Sequence, residues 1–142
     1  MNLEDYKKQF SEDDSVGWDF IDTELVKIYS EQEPLHFAPT LHYALGGEDP
    51  LDGISVYKSD EQTKHFHFVT YGFSELYYDE ESAGGDFSKY GFELTFRLKM
   101  EDENDNVNWV CNLLQNLAKY VFKSGKWFEE YHFITANGPI RS

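Results

Sequence analysis

The segment His65-Phe-His-Phe-Val-Thr-Tyr71 decides the fold. Aromatic and β-branched residues occupy both alternating sets of its positions, which is typical of a strand covered on both faces. We therefore expect a strand near the centre of a sheet. A second strand is predicted from Phe92 to Lys99, because apolar residues alternate there with polar ones and one face must be core. Residues 54–57 predict a third strand.

Two amphipathic helices are predicted outside these strands. The first has an apolar stripe at three- and four-residue spacing, and the stripe consists of Trp18, Ile21, Leu25 and Ile28. The second is predicted to start at Asn108 as the capping residue and to end at Gly125. Its buried stripe is predicted to contain Val110, Leu113, Leu114, Leu117 and Val121. Residues 131–135 predict a last strand, and 137–139 a turn after it.

The chain as a whole predicts one α/β (α+β) domain over residues 1–142, with a mixed β-sheet packed against helices. A domain of 142 residues is large enough for a real core. Residues 1–15 are expected to form a polar lead-in, because they contain no apolar stripe. The acidic segment Ser11-Glu-Asp-Asp-Ser15 at its end is expected to cap the first helix.

Charge limits the class of partner. The chain carries 27 Asp and Glu against 12 Lys and Arg, a formal charge of −15. A potential of this sign repels nucleic acids and anionic membranes and attracts a basic protein. Aromatic residues make up 18% of the chain, which is too many for a disordered acidic tail. A single cysteine, Cys111, and the absence of an apolar segment of about 20 residues predict a cytoplasmic protein.

Few residues favour catalysis. His65 and His67 share one strand face and, with a carboxylate, could hold a metal for hydrolysis, but the sequence shows no third ligand by spacing. Cys111 lies near a helix start, where a thiol can become reactive, yet a free cysteine is usually a buried apolar residue. Glycine-rich phosphate loops are missing from the sequence. We therefore expect no enzyme activity, no cofactor and no metal, and keep a metal-dependent hydrolase as the least favoured alternative.

Several residues are candidates for partner binding. Asp49 and Asp52 flank a Pro-Leu turn, where they could contact a basic partner or, alternatively, bond the local backbone. Glu80, Glu81 and Asp86 lie in a second, solvated acidic loop. Trp127 follows Gly125 and is itself followed by Glu129 and Glu130, a pattern that favours an exposed aromatic anchor.

Four segments carry a resemblance to a known family. They are Leu45-Gly-Gly-Glu-Asp-Pro-Leu-Asp-Gly-Ile54, Val69-Thr-Tyr-Gly-Phe-Ser-Glu-Leu76, Gly91-Phe-Glu-Leu-Thr-Phe-Arg-Leu98 and Asn112-Leu-Leu-Gln-Asn-Leu-Ala-Lys-Tyr-Val-Phe122. Together they resemble the suppressor of fused family over about residues 17–140. The resemblance is to the N-terminal domain, which is α/β with a mixed sheet.

The resemblance implies binding rather than catalysis. Animal members are not enzymes, and their two domains clamp a short extended peptide of a transcription factor. A tyrosine that touches this peptide matches Tyr120, within Ala118-Lys-Tyr-Val-Phe122. An aspartate that also touches it corresponds here to His132, so the resemblance does not imply that the same ligand is clamped.

Short bacterial relatives resemble immunity proteins that neutralise secreted toxins, often nucleases. We therefore expect a bacterial immunity protein that blocks a basic toxin domain by stoichiometric binding. The alternative is a regulatory adaptor that binds an extended peptide of a partner protein at a sheet edge. The family domain usually continues beyond Asn137-Gly-Pro-Ile140, so we expect a shortened member or a fragment. A sheet edge left open by missing strands could also pair with a second copy of the chain.

Overall fold

The computed structural model of the protein describes residues 2–81, 89–126 and 128. Its helices and strands follow in the order α1 (Leu3–Gln9), α2 (Val16–Tyr29), β1 (Leu35–Phe37), a 3-10 turn (Tyr43–Leu45), β2 (Gly53–Ser59), β3 (His65–Tyr71), β4 (Thr95–Lys99) and α3 (Asn108–Ser124). The predicted combination of a sheet with helices is confirmed. None of the described helices has both the length and the apolar composition that crossing a bilayer requires.

The four described strands form one sheet in the order β1-β2-β3-β4. All three pairings between them are antiparallel. A parallel pairing, which a mixed sheet would also contain, does not occur between these strands. Strand β3 lies between β2 and β4, and six of its seven residues are buried. The prediction that residues 65–71 form a central strand covered on both faces is therefore confirmed.

Each face of the sheet carries one long helix, because alternate residues of β2 and β3 point to opposite sides. One face packs against α3, and its buried strand residues are Ile54, Val56, Phe66 and Phe68. The other face packs against α2, and its buried strand residues are Tyr57, Val69 and Tyr71. The sheet thus lies between α2 and α3.

Helix α2 is confirmed, but its predicted apolar stripe is wrong at one end. Leu25 is buried at 6% exposure, whereas Ile28 is 63% exposed. The next residue, Tyr29, stacks on Tyr57 of the sheet with ring centroids 4.3 Å apart. Because Tyr29 covers the sheet at this point, Ile28 is turned towards solvent.

The N-terminal segment is more ordered than the predicted polar lead-in. It contains α1, which starts with the Asn2 side chain accepting a bond from the Asp5 N–H at 2.9 Å. The prediction that the acidic segment caps α2 is wrong, since Asp14 accepts from the N–H of Ser11 and closes its own turn. Ser15, at the N-cap of α2, makes no capping bond with its side chain.

Helix α3 confirms the second predicted helix and corrects its start. The N-cap residue is Val107, and Asn108 is the first helical residue. The fully buried row on α3 consists of Val110, Leu114, Ala118 and Val121, whereas the predicted Leu113 and Leu117 are half-buried. Gly125 has a φ of 70° and ends the helix as predicted.

Candidate functional site

At one end of the sheet, α3 holds the loop that leads into β2. The side-chain amide of Gln115 makes two bonds to the backbone of Leu51: it accepts from the N–H at 3.0 Å and donates to the carbonyl at 3.1 Å. Leu51 itself is fully buried in the core. Both the backbone and the side chain of this loop residue are therefore fixed in position.

The start of the same loop depends on two glycines. Gly46 ends the 3-10 turn with a φ of 100°, a left-handed conformation that favours glycine. At Gly47 a Cβ atom would clash with the carbonyl oxygen of Leu41, so the backbone passes too close for any side chain. The loop thus folds back on residues 41–42 before it reaches α3.

The two candidate aspartates of this loop contact side chains rather than the local backbone. Asp49 forms an ion pair with Lys119 of α3 at 3.3 Å. Asp52 lies 3.3 Å from Nδ1 of His42, and its side chain is only 17% exposed. Burial, the charge of Asp52 and a hydrogen bond to Asp52 raise the pKa of Tyr77 to about 12. The alternative in which these carboxylates bond the local backbone is not what the described contacts show.

Residues 41–52 and 72–77 together form a surface that we call the loop face. It contains a small cleft of about 200 Å³, lined among others by Tyr43, Asp52 and Tyr77. Exposed apolar side chains surround the cleft: Leu41 is 50%, Tyr43 41%, Leu45 72% and Tyr77 43% exposed. The loop face therefore combines acidic groups with large apolar groups that are open to a partner.

A carboxylate that the sequence placed on a polar strand face organises residues 72–74. Glu93 accepts bonds from the backbone N–H groups of Gly72, Phe73 and Ser74 at 2.7, 3.3 and 3.0 Å. It also accepts from the hydroxyl of Thr70 at 2.9 Å. Burial raises the pKa of Glu93, although the bonds from residues 70–74 act in the opposite direction. Glu93 thus holds one half of the loop face in place.

The bonds around Glu93 also explain why β4 is shorter than predicted. The N–H of Leu94 donates to the hydroxyl of Thr70 at 2.8 Å instead of to a backbone carbonyl. Regular strand pairing therefore begins only at Thr95. Nothing in the sequence indicated Glu93, since its alternation suited a solvent-facing position. Gln115 carried a weak signal, because it is a polar residue flanking the apolar stripe of α3.

The other acidic candidates lie elsewhere. Glu80 forms an ion pair with Lys7 of α1 at 3.3 Å and accepts a bond from the Tyr78 hydroxyl at 2.9 Å. Glu81 is exposed and donates its backbone N–H to the Asp79 carboxylate at 3.0 Å. The described contacts connect Glu80 to α1 and Asp49 to α3, so the structure does not bring these acids into one cluster.

Tyr120 is exposed but points away from the loop. Its ring lies parallel to that of Phe128, with centroids 6.2 Å apart, and its side chain is 41% exposed. Gln115 and Lys119, four residues apart, form the helix row that faces the loop, and Tyr120 is turned by about 100° from Lys119. Asp86, Trp127, Glu129, Glu130 and His132 lie outside the described residues.

The residues of the catalytic alternatives are engaged in other ways. His65 donates from Nδ1 to the carbonyl of Thr63 at 2.7 Å, and Nδ1 of His67 lies 2.7 Å from the Tyr29 hydroxyl. Within residues 2–81, 89–126 and 128, no three His, Cys, Asp or Glu side chains form a group that could hold a metal. Burial raises the pKa of Cys111 to about 11, which is the opposite of a reactive thiol.

Comparisons with known proteins agree on one family. The family model described as "Suppressor of fused protein (SUFU)" matches residues 47–142. The human protein "Suppressor of fused homolog" is 38% identical over 125 residues, which cover 80% of this chain and 26% of the human protein. The mouse protein of the same name shows the same values. This chain thus spans about a quarter of the length of these relatives.

Solved structures show the same relationship. A structure titled "Crystal structure of Drosophila Suppressor of Fused" has a TM-score of 0.72 and 32% identity, over 83% of this chain and 32% of that chain. A structure titled "the Sufu-Fu complex crystal structure" has a TM-score of 0.70 and 34% identity, over 79% of this chain and 55% of that chain. The loop face lies mostly within residues 47–142, the segment that the family model matches. The bonds of Gln115 to Leu51 and of Glu93 to residues 70–74 lie wholly within this segment. By sequence and by fold, this chain belongs to the suppressor of fused family.

Proposed function

We propose that this domain is a non-enzymatic binding module whose loop face takes a basic protein partner. The observation that carries the proposal is the pair of hydrogen bonds between the Gln115 amide and the backbone of Leu51, because these bonds fix the loop before any partner arrives. A loop that is already ordered loses little conformational entropy on binding. The exposed Leu45 and Tyr43 can then enter a partner without a rearrangement of the domain.

The charge of the chain supports a basic partner. Glu48 is exposed beside Asp49, and the whole chain carries −15. Such a surface accelerates association with a cationic protein at low salt and repels nucleic acid. A nuclease presents basic surface to its substrate, so one cytoplasmic, stoichiometric role is the occlusion of a toxin of this class. In this form the domain is an immunity protein.

The proposal is tested by purification of the tagged chain with its partner, identification of the partner by mass spectrometry, and measurement of Kd for the purified pair. We expect a stoichiometric complex with a basic protein whose affinity falls steeply from about 50 to about 500 mM salt. A double variant, Leu45→Ser with Glu48→Gln, is expected to weaken binding about tenfold or more.

A matched control removes one exposed apolar side chain and one exposed acid from the other end of the sheet. In Ile28→Ser with Glu61→Gln, both residues are exposed and lie outside the loop face. We expect this control to bind as the wild type does. Equal loss in the two double variants, or a complex that does not respond to salt, would contradict the proposal.

A second candidate is the adaptor that binds an extended peptide. It is favoured by the similarity to a structure that its title describes as a Sufu-Fu complex. Strand β1 has three residues, is outermost among the described strands, and carries Leu35 at 56% exposure. The adaptor predicts tight binding of a short synthetic peptide from the partner with little response to salt. In that case the Leu45 and Glu48 double variant would bind the peptide as the wild type does.

A further inference from the structure

The other end of the β2–β3 hairpin contains a larger cleft that the proposed function does not use. We call it the hairpin pocket; it has a volume of about 640 Å³ and lies between the last turn of α2, the hairpin residues 58–65 and Arg97 of β4. Because β2 runs from the loop face at Gly53 to this pocket at Ser59, the two sites are about 20 Å apart. Small-molecule sites typically measure about 300–1,000 Å³.

Two cations that line the pocket form no ion pair within the described residues. Lys58 and Arg97 have no carboxylate within 4.0 Å among the described residues. A third cation, Lys27, is paired with Glu24 at 2.8 Å. Because Arg97 lines the cleft without an ion pair among the described residues, its charge is available to an anion.

Two imidazoles lie beside Arg97 on the same face of the sheet, whereas Lys58 pairs with Phe66, so its side chain leaves β2 on the opposite face. In strand register His67 pairs with Arg97, and the ring centroids of His65 and His67 are 6.5 Å apart. Because His65 donates from Nδ1 to a carbonyl, its Nε2 atom is the one that can take a further proton. Burial and the nearby charges of Arg97 and His65 lower the pKa of His67. A bound anion would reverse the effect of these charges.

The pocket also has an acidic side. Asp60 and Glu61 line it at the tip of the hairpin, and they are exposed, as Arg97 is, so solvent screens all three charges. Arg97, which has no carboxylate partner in the described part of the chain, projects from the opposite wall, formed by β4. This wall, and not the hairpin tip, is where an anion meets positive charge.

We propose that the hairpin pocket binds a small organic phosphate. Arg97 contacts the phosphate oxygens, and His65 and His67 supply N–H donors once they are protonated. The guanidinium group of arginine matches phosphate geometry, and a phosphate monoester gains its second charge near pH 6, where imidazoles also titrate. The cleft is larger than a phosphate ion, so the organic part of the ligand lies against Ile28 and Tyr29, which also line it.

The test uses phenyl phosphate as the probe and inorganic phosphate and benzoate as comparison ligands, with binding measured by calorimetry and by NMR. We expect saturable one-to-one binding of phenyl phosphate that is tighter than the binding of either comparison ligand. Arg97→Gln is expected to weaken it about tenfold or more. Lys123→Gln, which removes one charge from an exposed position on α3, is expected to leave it unchanged.

The imidazole signals give a second readout. Phenyl phosphate is expected to raise the pKa of His67 and to leave that of His36 unchanged, because His36 lies on β1 beside Ser55 and outside the pocket. Three outcomes would overturn the proposal: no saturable binding, binding that survives Arg97→Gln, and binding of inorganic phosphate as tight as that of phenyl phosphate. Each outcome is independent of the protein partner at the loop face.

Discussion

The two ends of the β2–β3 hairpin use the same chemical device in different surroundings. At the loop face the amide of Gln115 bonds both the N–H and the carbonyl of Leu51. At the hairpin pocket the amide of Gln32 does the same to Lys58, at 2.7 and 2.9 Å. Leu51 is fully buried, whereas Lys58 is exposed. Burial therefore ties the loop face to the core, and the hairpin pocket stays open to water and solutes.

The charged side chains at the two ends also differ in whether they are paired with an opposite charge. The loop-face carboxylates of Asp49 and Asp52 contact basic side chains, Lys119 and His42. At the hairpin pocket the Arg97 cation lacks a carboxylate partner within the described residues. The comparison indicates that the loop face is a rigid, partly compensated surface, and the hairpin pocket a site whose charge is left for a ligand.

The largest effect is expected from Leu51→Ala at the loop face, and it is compared with Ile28→Ala at the hairpin pocket. Leu51→Ala leaves a cavity in the core and should lower the free energy of unfolding by about 2–5 kcal/mol. Ile28→Ala removes a side chain that is 63% exposed and should change it by less than about 0.5 kcal/mol. Urea unfolding of both variants measures the difference. Similar losses would show that the two ends are equally tied to the core.

A smaller effect is expected from Glu93→Gln. The amide NH₂ would face groups that donate to the carboxylate, so we expect a loss of about 1–3 kcal/mol at neutral pH. The matched control is Glu61→Gln, since Glu61 is an exposed carboxylate of the hairpin. We expect it to unfold within about 0.5 kcal/mol of the wild type.

The pH dependence of Glu93 has a defined sign. Burial raises its pKa in the folded protein above the ordinary 4.5, so the folded state holds the proton to a higher pH than the unfolded chain does. The part of the stabilisation that is linked to this proton is complete below about pH 4.5 and is lost as pH rises through the folded pKa. The stability difference between wild type and Glu93→Gln should shrink over this range. A difference that grows with pH would show that the bonds to the carboxylate outweigh burial.

The smallest effect is the difference in stability loss between Gln115→Ala and Gln32→Ala. Gln115→Ala leaves the buried N–H and carbonyl of Leu51 without their amide partner and should cost about 1–2 kcal/mol. Gln32→Ala exposes the same groups of Lys58 to water, which replaces the lost bonds, and should cost less than about 0.5 kcal/mol. Denaturant unfolding under identical conditions measures both changes. Equal costs would mean that burial does not distinguish the two ends.

Local patterns predicted the elements that form the core. Strand β3 and helix α3 were recognised because side chains repeat with the period of each element, and packing follows that period. The same reasoning failed for Ile28, because periodicity does not show where the neighbouring sheet surface is already covered. It also missed α1, whose residues are all outside the buried core.

The sequence by itself determined the family, the class of the fold and the negative charge of the surface, because these depend on local periodicity, on motifs and on composition. Only the tertiary structure decided which groups each charged side chain contacts. Glu93 meets residues 70–74, Asp49 meets Lys119, and Arg97 meets no carboxylate among the described residues. These relations join residues that are far apart in the chain, and the packing of the sheet against its helices brings them together.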